Sequence, residues 1–317
     1  MKMLVTATNH SVLCQEAKQL LLSHGCEIIE NPHGRPCTFD ELAQLVPDID
    51  AVVAGVDTWN EDVFKLAPKL KVIARFGVGV DNIDVAKANE YGIKVCNVPG
   101  GNANAVAEMA VGLIIAAMRQ IPYLQQSLRR GNWDRFVGRE LINRTVGLVG
   151  FGHIAQMVAR KLQGFDVRLL AYDLVPNHEK GRAYNVAFVS LEELLRESDV
   201  ISLHVPGVKA TYHMIGKEQF EMMKRDAYLI NTARGSVVDE DALYEALKSG
   251  RIAGAAVDVY EQEPARKDHP LFKLDNVITT PHSAAETYET YRKVSLATAQ
   301  AILDVFAGRE PANLVRV

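Results

Sequence analysis

Residues 145–155, TVGLVGFGHIA, constrain the fold of this 317-residue chain more than any other stretch. TVGLVG is β-branched and apolar, as a parallel strand buried on both faces should be. Gly150, Gly152 and Ala155 then fit G-x-G-x-x-G/A, and IAQMVARKLQ at 154–163 reads as a helix that Gly164 is placed to end. DVRLLAYD at 166–173 is the next strand and finishes on Asp173, 21 residues after Gly152. Strand, glycine turn, helix, strand and acid form a complete dinucleotide-binding unit. Gly150 permits the tight turn, and Gly152 lets the backbone approach a pyrophosphate. The helix start, at His153 and Ile154, supplies free N–H groups and positive dipole to the phosphates. Asp173 can accept hydrogen bonds from both ribose hydroxyls and would repel a 2′-phosphate, so NAD is expected over NADP. A purely structural turn and an S-adenosylmethionine-binding domain share part of this pattern. A P-loop is excluded for lack of G-K-[ST].

The rest of the chain has the same rhythm. Strand patterns lie at 3–7, 27–30, 51–55, 72–76 and 94–98, with a helical pattern at 12–25 ending in Gly25. Residues 102–120 form a long, nearly all-round apolar helix, which must be buried on most sides, and Pro122 is placed to halt or kink it. A second series follows, with strand patterns at 145–150, 166–173, 186–189, 199–205, 227–233, 254–260 and 276–280, and a helix at 284–307. Two doubly wound, parallel-sheet α/β domains are expected, Rossmann-like and flavodoxin-like, the second inserted in the first. Residues 1–98 with 285–317 would form a substrate domain, and 99–284 an NAD-binding domain.

Composition removes several other classes. A net charge of −4 gives no reason to expect nucleic acid. The longest apolar run, AVGLIIAAM at 110–118, is too short for a bilayer, and the N-terminus lacks a signal-peptide pattern, so a cytoplasmic location without membrane attachment is expected. Cys14, Cys26, Cys37 and Cys96 include no C-x-x-C pair, which argues for reduced thiols and against a metal site.

Hydride transfer to a keto acid needs a cation for the carboxylate, a proton donor for the developing alkoxide and a group that tunes the donor. Three strands after the glycine turn end in suitable residues: NTARGS with Arg234, DVYEQEP with Glu263 and TTPHSA with His282. Ligands of open α/β sheets bind beyond the carboxyl ends of strands, where all three fall. Arg234 can grip a carboxylate bidentately, and a carboxylate beside His282 favours its imidazolium. The histidine could then donate a proton in reduction and accept one in oxidation.

On these residues the chain resembles the D-isomer-specific 2-hydroxyacid dehydrogenase family, most of all its phosphoglycerate dehydrogenase branch. The matching stretches are RFGVGVDNID (75–84), GGNANAVAEMAVGLI (100–114), GLVGFGHIAQMVARKL (147–162), LINTARGSVVDEDAL (229–243), GAAVDVYEQEP (254–264) and TPHSAA (280–285). The resemblance implies an oxidoreductase acting on a small 2-keto or 2-hydroxy acid, with Arg234, Glu263 and His282 catalytic. It implies cofactor contacts at Gly150, Gly152, His153, Ile154, Asp173, Val205, Thr232 and Ala233, with Asp258 on the nicotinamide carboxamide. Substrate would meet Arg75, the backbone of Val78 and Gly79, and Arg234. A homodimer built on the cofactor domains is also implied.

The chain departs from the family pattern in places. AGVDTWNEDVF at 54–64 lacks the cations that phosphoglycerate dehydrogenases direct at the substrate phosphate. Asp57 would repel that phosphate, leaving Arg75 and Arg135 as candidate partners. PHSAAE replaces the commoner PHIGGST after the histidine. The sequence ends at Val317, so the C-terminal regulatory domains of longer members are expected to be absent. Phosphoglycerate dehydrogenase is the expected single label. The alternatives are reduction of glyoxylate or hydroxypyruvate, action on a larger 2-hydroxy acid or, in another class, an NAD(H)-sensing corepressor.

Overall fold

The computed structural model describes residues 1–316; Val317, the end of the expected substrate domain, lies outside the described residues. The chain divides into two compact units, residues 1–102 with 286 onward, and residues 103–285.

The first unit is built on β1 (Lys2–Val5), β2 (Glu27–Glu30), β3 (Ala51–Ala54), β4 (Val72–Arg75) and β5 (Lys94–Cys96), in the order β2-β1-β3-β4-β5. All four pairings are parallel. The side-chain period of two is plain in β3, which is buried throughout. Ala51 and Val53 enter one apolar layer with Leu21 and Ile302, while Val52 and Ala54 enter the other with Trp59 and Ile73. The single helix expected at 12–25 is two, His10–Leu13 and Gln15–Ser23. Cys14 breaks it, leaving helical geometry with its side chain buried and its Sγ on the Tyr291 carbonyl. Packing against the helix Tyr288–Phe306 overrides local helix preference there.

The second unit carries β6 (Thr145–Val149), β7 (Arg168–Tyr172), β8 (Val186–Phe188), β9 (Val200–Leu203), β10 (Tyr228–Asn231), β11 (Gly254–Val257) and β12 (Val277–Thr279). Their order is β12-β11-β10-β9-β6-β7-β8, again parallel throughout. The order reverses between β6 and β9, which pair directly. One face is covered by the helices Ala103–Arg119 and His153–Leu162, with Leu113, Ile114, Val158 and Leu162 on Leu148. The other face packs Phe220 and Leu243 on Ile201 and Leu229. The helix Ala103–Arg119 is apolar because it is core, and among the described residues no single helix is long and apolar enough to cross a membrane.

Two helix endings differ from the sequence expectation. The long helix stops at Gln120, which takes the left-handed conformation at φ 50°, and the chain turns 61° into the helix Ile121–Arg129. Pro122 therefore sits in the first turn of the new helix, where its missing N–H is harmless, and does not end the old one. Likewise Gly164 lies inside a 3₁₀ turn, Gln163–Phe165, and Asp166 takes the left-handed position instead, at φ 51°.

Where β10 and β11 end, their backbones meet. A Cβ on Gly235 would lie 1.9 Å from the carbonyl carbon of Tyr260 and 2.3 Å from the nitrogen of Glu261. Only hydrogen fits between these loops. Gly235→Ala must push the loops apart, and the expected cost is about 1–3 kcal/mol, as for other overpacked sites. Urea unfolding of the variant should show a lowered midpoint; an unchanged midpoint would mean the two loops yield freely.

Candidate active site

Because the seven strands of the second unit run one way, their carboxyl ends share one edge, and six of them feed the residues singled out by sequence. Gly150 follows β6 and Asp173 follows β7; Val205 follows β9; Thr232, Ala233 and Arg234 follow β10; Asp258 and Glu263 follow β11; His282 follows β12.

Gly150 turns at φ 89°, and its N–H donates to the Tyr172 carbonyl at 2.8 Å. A Cβ there would sit 2.9 Å from the His204 carbonyl carbon, so the turn is closed against the β9 loop. Gly152 precedes the helix His153–Leu162 with no side-chain cap, and a Cβ on it would meet nothing within 4 Å. Its hydrogen is not required by the protein's own packing. The space it leaves, in front of uncapped helix N–H groups, is what a dinucleotide pyrophosphate needs. Asp173 is half-buried and already accepts from Phe151 N–H at 2.7 Å and Val175 N–H at 2.9 Å. It thus also braces the glycine turn, and each oxygen retains an acceptor site for a ribose hydroxyl. The hydroxyl of Thr232 is buried without a protein partner, a further group suited to a ligand. These residues fit NAD.

The candidate chemistry lies further along the edge. His282 Nδ1 and Glu263 Oε2 are 2.6 Å apart, and Glu263 Oε1 accepts from Tyr260 N–H at 3.0 Å. Burial alone would raise the Glu263 pKa. The hydrogen bond and charge of His282, the Tyr260 N–H and the Arg234 charge together outweigh it and hold the carboxylate below its ordinary range. Glu263 is therefore ionised where His282 needs a fixed acceptor. Arg234 Nη1 donates to the Ala233 carbonyl at 2.7 Å, which folds the guanidinium back over its own loop. Another histidine on this edge, His204, has its pKa lowered to about 4 by burial of the imidazole, and its Nε2 lies 3.0 Å from Ser202 Oγ. It is neutral near pH 7 and cannot serve as the proton donor there.

Sequence reasoning missed what holds these side chains. Asp258, assigned by resemblance to the nicotinamide carboxamide, is 1% exposed, and both oxygens are turned into the His282 loop. Oδ1 accepts from Thr280 Oγ1 at 2.5 Å and Ser283 N–H at 2.9 Å, and Oδ2 accepts from Ala284 N–H at 2.9 Å. The Asp258 carbonyl accepts from His282 N–H at 2.7 Å. His282 itself sits at φ 50°, a strained position for a non-glycine residue that these bonds over-determine. Asn231 does similar work for Arg234, accepting from Ala233 N–H and donating to the Arg234 carbonyl, each at 3.0 Å. Both anchors stand within the quoted motifs, but only their positions at strand ends distinguish them from ordinary polar residues.

In the first unit, Arg75, Val78 and Gly79 lie at and beyond the end of β4, all half-buried. Arg75 reaches the Phe76 carbonyl through Nη1. The Val78 carbonyl accepts from Asn97 Nδ2 at 2.7 Å, whereas the N–H groups of Val78 and Gly79 donate to no protein acceptor among the described residues. Asp57 does not present the surface charge expected of it. It is 2% exposed and accepts from Cys37 N–H at 2.5 Å, and burial pushes its pKa up. The loop at 55–58 still offers no cation. Arg135, the other candidate, is exposed in the second unit.

Comparison with known proteins identifies the family. Residues 111–284 match the family model described as the D-isomer specific 2-hydroxyacid dehydrogenase, NAD binding domain. The chain is 44% identical to the D-3-phosphoglycerate dehydrogenase of Archaeoglobus fulgidus over 88% of its own length and 53% of that protein's. It therefore spans about half the length of that relative. It is 43% identical to the glyoxylate reductase of Korarchaeum cryptofilum over 86% of its length and 85% of that protein's. Its fold matches the apo-structure of D-lactate dehydrogenase from Escherichia coli with a TM-score of 0.88 and 31% identity, all of both chains being covered. With the NAD-binding domain matched across the glycine turn and the strand ends that carry Arg234, Glu263 and His282, the chain belongs to the D-isomer specific 2-hydroxyacid dehydrogenase family.

Proposed function

We infer that the protein interconverts a small 2-keto acid and the corresponding 2-hydroxy acid with NAD(H). The observation that carries the reading is the 2.6 Å pairing of His282 with an ionised Glu263 on the strand edge that also bears Arg234. NAD(H) would be held by the glycine turn at 150–152, the start of the helix at His153 and Ile154, Asp173, Val205, Thr232 and Ala233, and it supplies or accepts the hydride. Arg234 orients the substrate carboxylate and polarises the carbonyl. His282 gives a proton from Nε2 to the developing alkoxide, because Nδ1 is occupied by Glu263. In the reverse direction it takes that proton back. Glu263 fixes the ring orientation and stabilises the imidazolium. In the first unit, the N–H groups of Val78 and Gly79, which meet no protein acceptor among the described residues, are donors suited to a carboxylate.

Relatives named for phosphoglycerate and for glyoxylate match at nearly equal identity, so overall similarity does not choose a substrate. The cation-free loop at 55–58 favours short, unphosphorylated keto acids such as glyoxylate and hydroxypyruvate over 3-phosphohydroxypyruvate. Two further properties belong to this reading. Residues 128–142 expose Leu128 at the end of the helix Ile121–Arg129 and Trp133, Phe136, Val137 and Ile142 beyond it, with Trp133 85% and Val137 95% exposed. These exposed apolar side chains, close together in sequence, support a homodimer formed through the second unit. Four buried, unpaired cysteines fit a reducing compartment such as the cytoplasm.

NADH oxidation should accompany glyoxylate or hydroxypyruvate reduction, and His282→Ala should lower kcat by about 10²–10⁴-fold, the usual worth of a positioned proton donor. Near-normal turnover in that variant would remove the histidine from the mechanism, and a clear preference for 3-phosphohydroxypyruvate would overturn the substrate assignment. Asp173→Ala should narrow the ratio of kcat/KM for NADH over NADPH, since it removes the charge facing the ribose; a ratio equal to that of the parent would count against the role. Trp133→Asp combined with Val137→Asp should convert a dimer to a monomer in sedimentation velocity. A parent protein that already sediments as a monomer would refute the dimer.

A further inference from the structure

Arg234 is held from both sides by neighbouring loops. On one side is the loop after β9: a Cβ on Gly207 would lie 2.9 Å from Cγ of Arg234, so this backbone rests on the stem of the side chain. On the other side is the loop after β11, whose Tyr260 backbone leaves no room for a Cβ on Gly235. The outer loops are joined to each other by one pair of side chains, His213 Nε2 with Glu261 Oε1.

Everything around this pair fixes its place. His213 adopts φ 48°, a conformation strained for a non-glycine residue that persists where its surroundings demand it. Its N–H donates to the Ser236 carbonyl at 2.8 Å, two residues beyond Arg234. Its ring stacks on Tyr212 with centroids 4.0 Å apart and planes 14° from parallel. Glu261 is set from behind, its N–H donating to Glu240 Oε1 at 2.9 Å, while Glu240 Oε2 lies 3.1 Å from His269 Nε2. The two side chains are 31% and 34% exposed, so their attraction contributes little to global stability. A pair so supported, bridging two loops over a third, acts on geometry.

We propose that His213 and Glu261 are positioning residues, a clasp across the loops after β9 and β11 that fixes the guanidinium of Arg234 where a substrate carboxylate is bound. The proposal rests on the reading of Arg234 given above. Neither residue touches substrate or hydride. The clasp restricts how far the Arg234 loop can rock between its neighbours, and so it tunes affinity for the keto acid more than the chemical step.

The test is a double-mutant cycle on the full-length protein with His213→Ala, Glu261→Ala and both together, assayed with glyoxylate and NADH. Each single variant should raise KM for glyoxylate about tenfold while leaving kcat and KM for NADH within about threefold. The double variant should be no worse than either single one, because both remove the same link. Glu261→Gln, which still accepts a hydrogen bond from the imidazole, should recover most of the affinity. Melting temperatures should stay within about 3 °C of the parent, as expected for a half-exposed pair. An unchanged KM for glyoxylate, additive single effects, or a loss shared equally with NADH and with thermal stability would overturn the proposal. Amide hydrogen exchange over 232–238, measured on the same proteins, reads the clasp without turnover. Faster exchange in the variants of a parent that reduces no keto acid would uphold the clasp and reject the assigned activity; unchanged exchange would reject the clasp.

Discussion

Seven strands running in one direction have no alternative but to end together, and that constraint decides where chemistry can occur in the second unit. Parallel pairing places β6, β7, β9, β10, β11 and β12 with their carboxyl ends on one edge, so residues as far apart in sequence as Gly150 and His282 lie along it. β6, β9, β10 and β11 are buried throughout, and their loops begin at defined points. The loops are then short enough for one to brace the next: Asp173 braces the glycine turn, Asn231 braces Arg234, and Asp258 braces His282. The edge is a set of mutually supported positions and not a collection of free loops, which is how the hydrogen bond between His282 and Glu263 is held.

The sequence carried the sheet strongly and the bracing weakly. Strands such as Ala51–Ala54 and Thr145–Val149 are legible because a buried parallel strand is a run of small and β-branched apolar residues, a local property. The glycine turn with Asp173 is legible for a similar reason, since its parts lie within one strand-helix-strand unit. Arg234, Glu263 and His282 are legible only in combination, through their shared placement at strand ends.

What escaped the sequence is non-local. Cys14 interrupts a good helix pattern because its thiol is buried against a helix nearly 280 residues later. Gln120 and Asp166 take the left-handed positions at helix endings that the sequence assigned to Pro122 and Gly164. Asp57 looks like a surface acid beside a binding loop and is in fact an internal acceptor for Cys37. For Cys14 and Asp57 the deciding partner is distant in sequence, and no local pattern announces it.

The strained backbone at His282 has a consequence for how this protein can change. One carboxylate, Asp258, supplies the acceptors that keep residues 282–284 in their unusual path. Substitution at 258 therefore displaces the imidazole at the end of β12, whereas the donors at 283 and 284 are backbone N–H groups that any residue but proline supplies. Position 258 is therefore the fixed point of this loop, and the side chains after the histidine can be rewritten around it, as PHSAAE in place of PHIGGST illustrates.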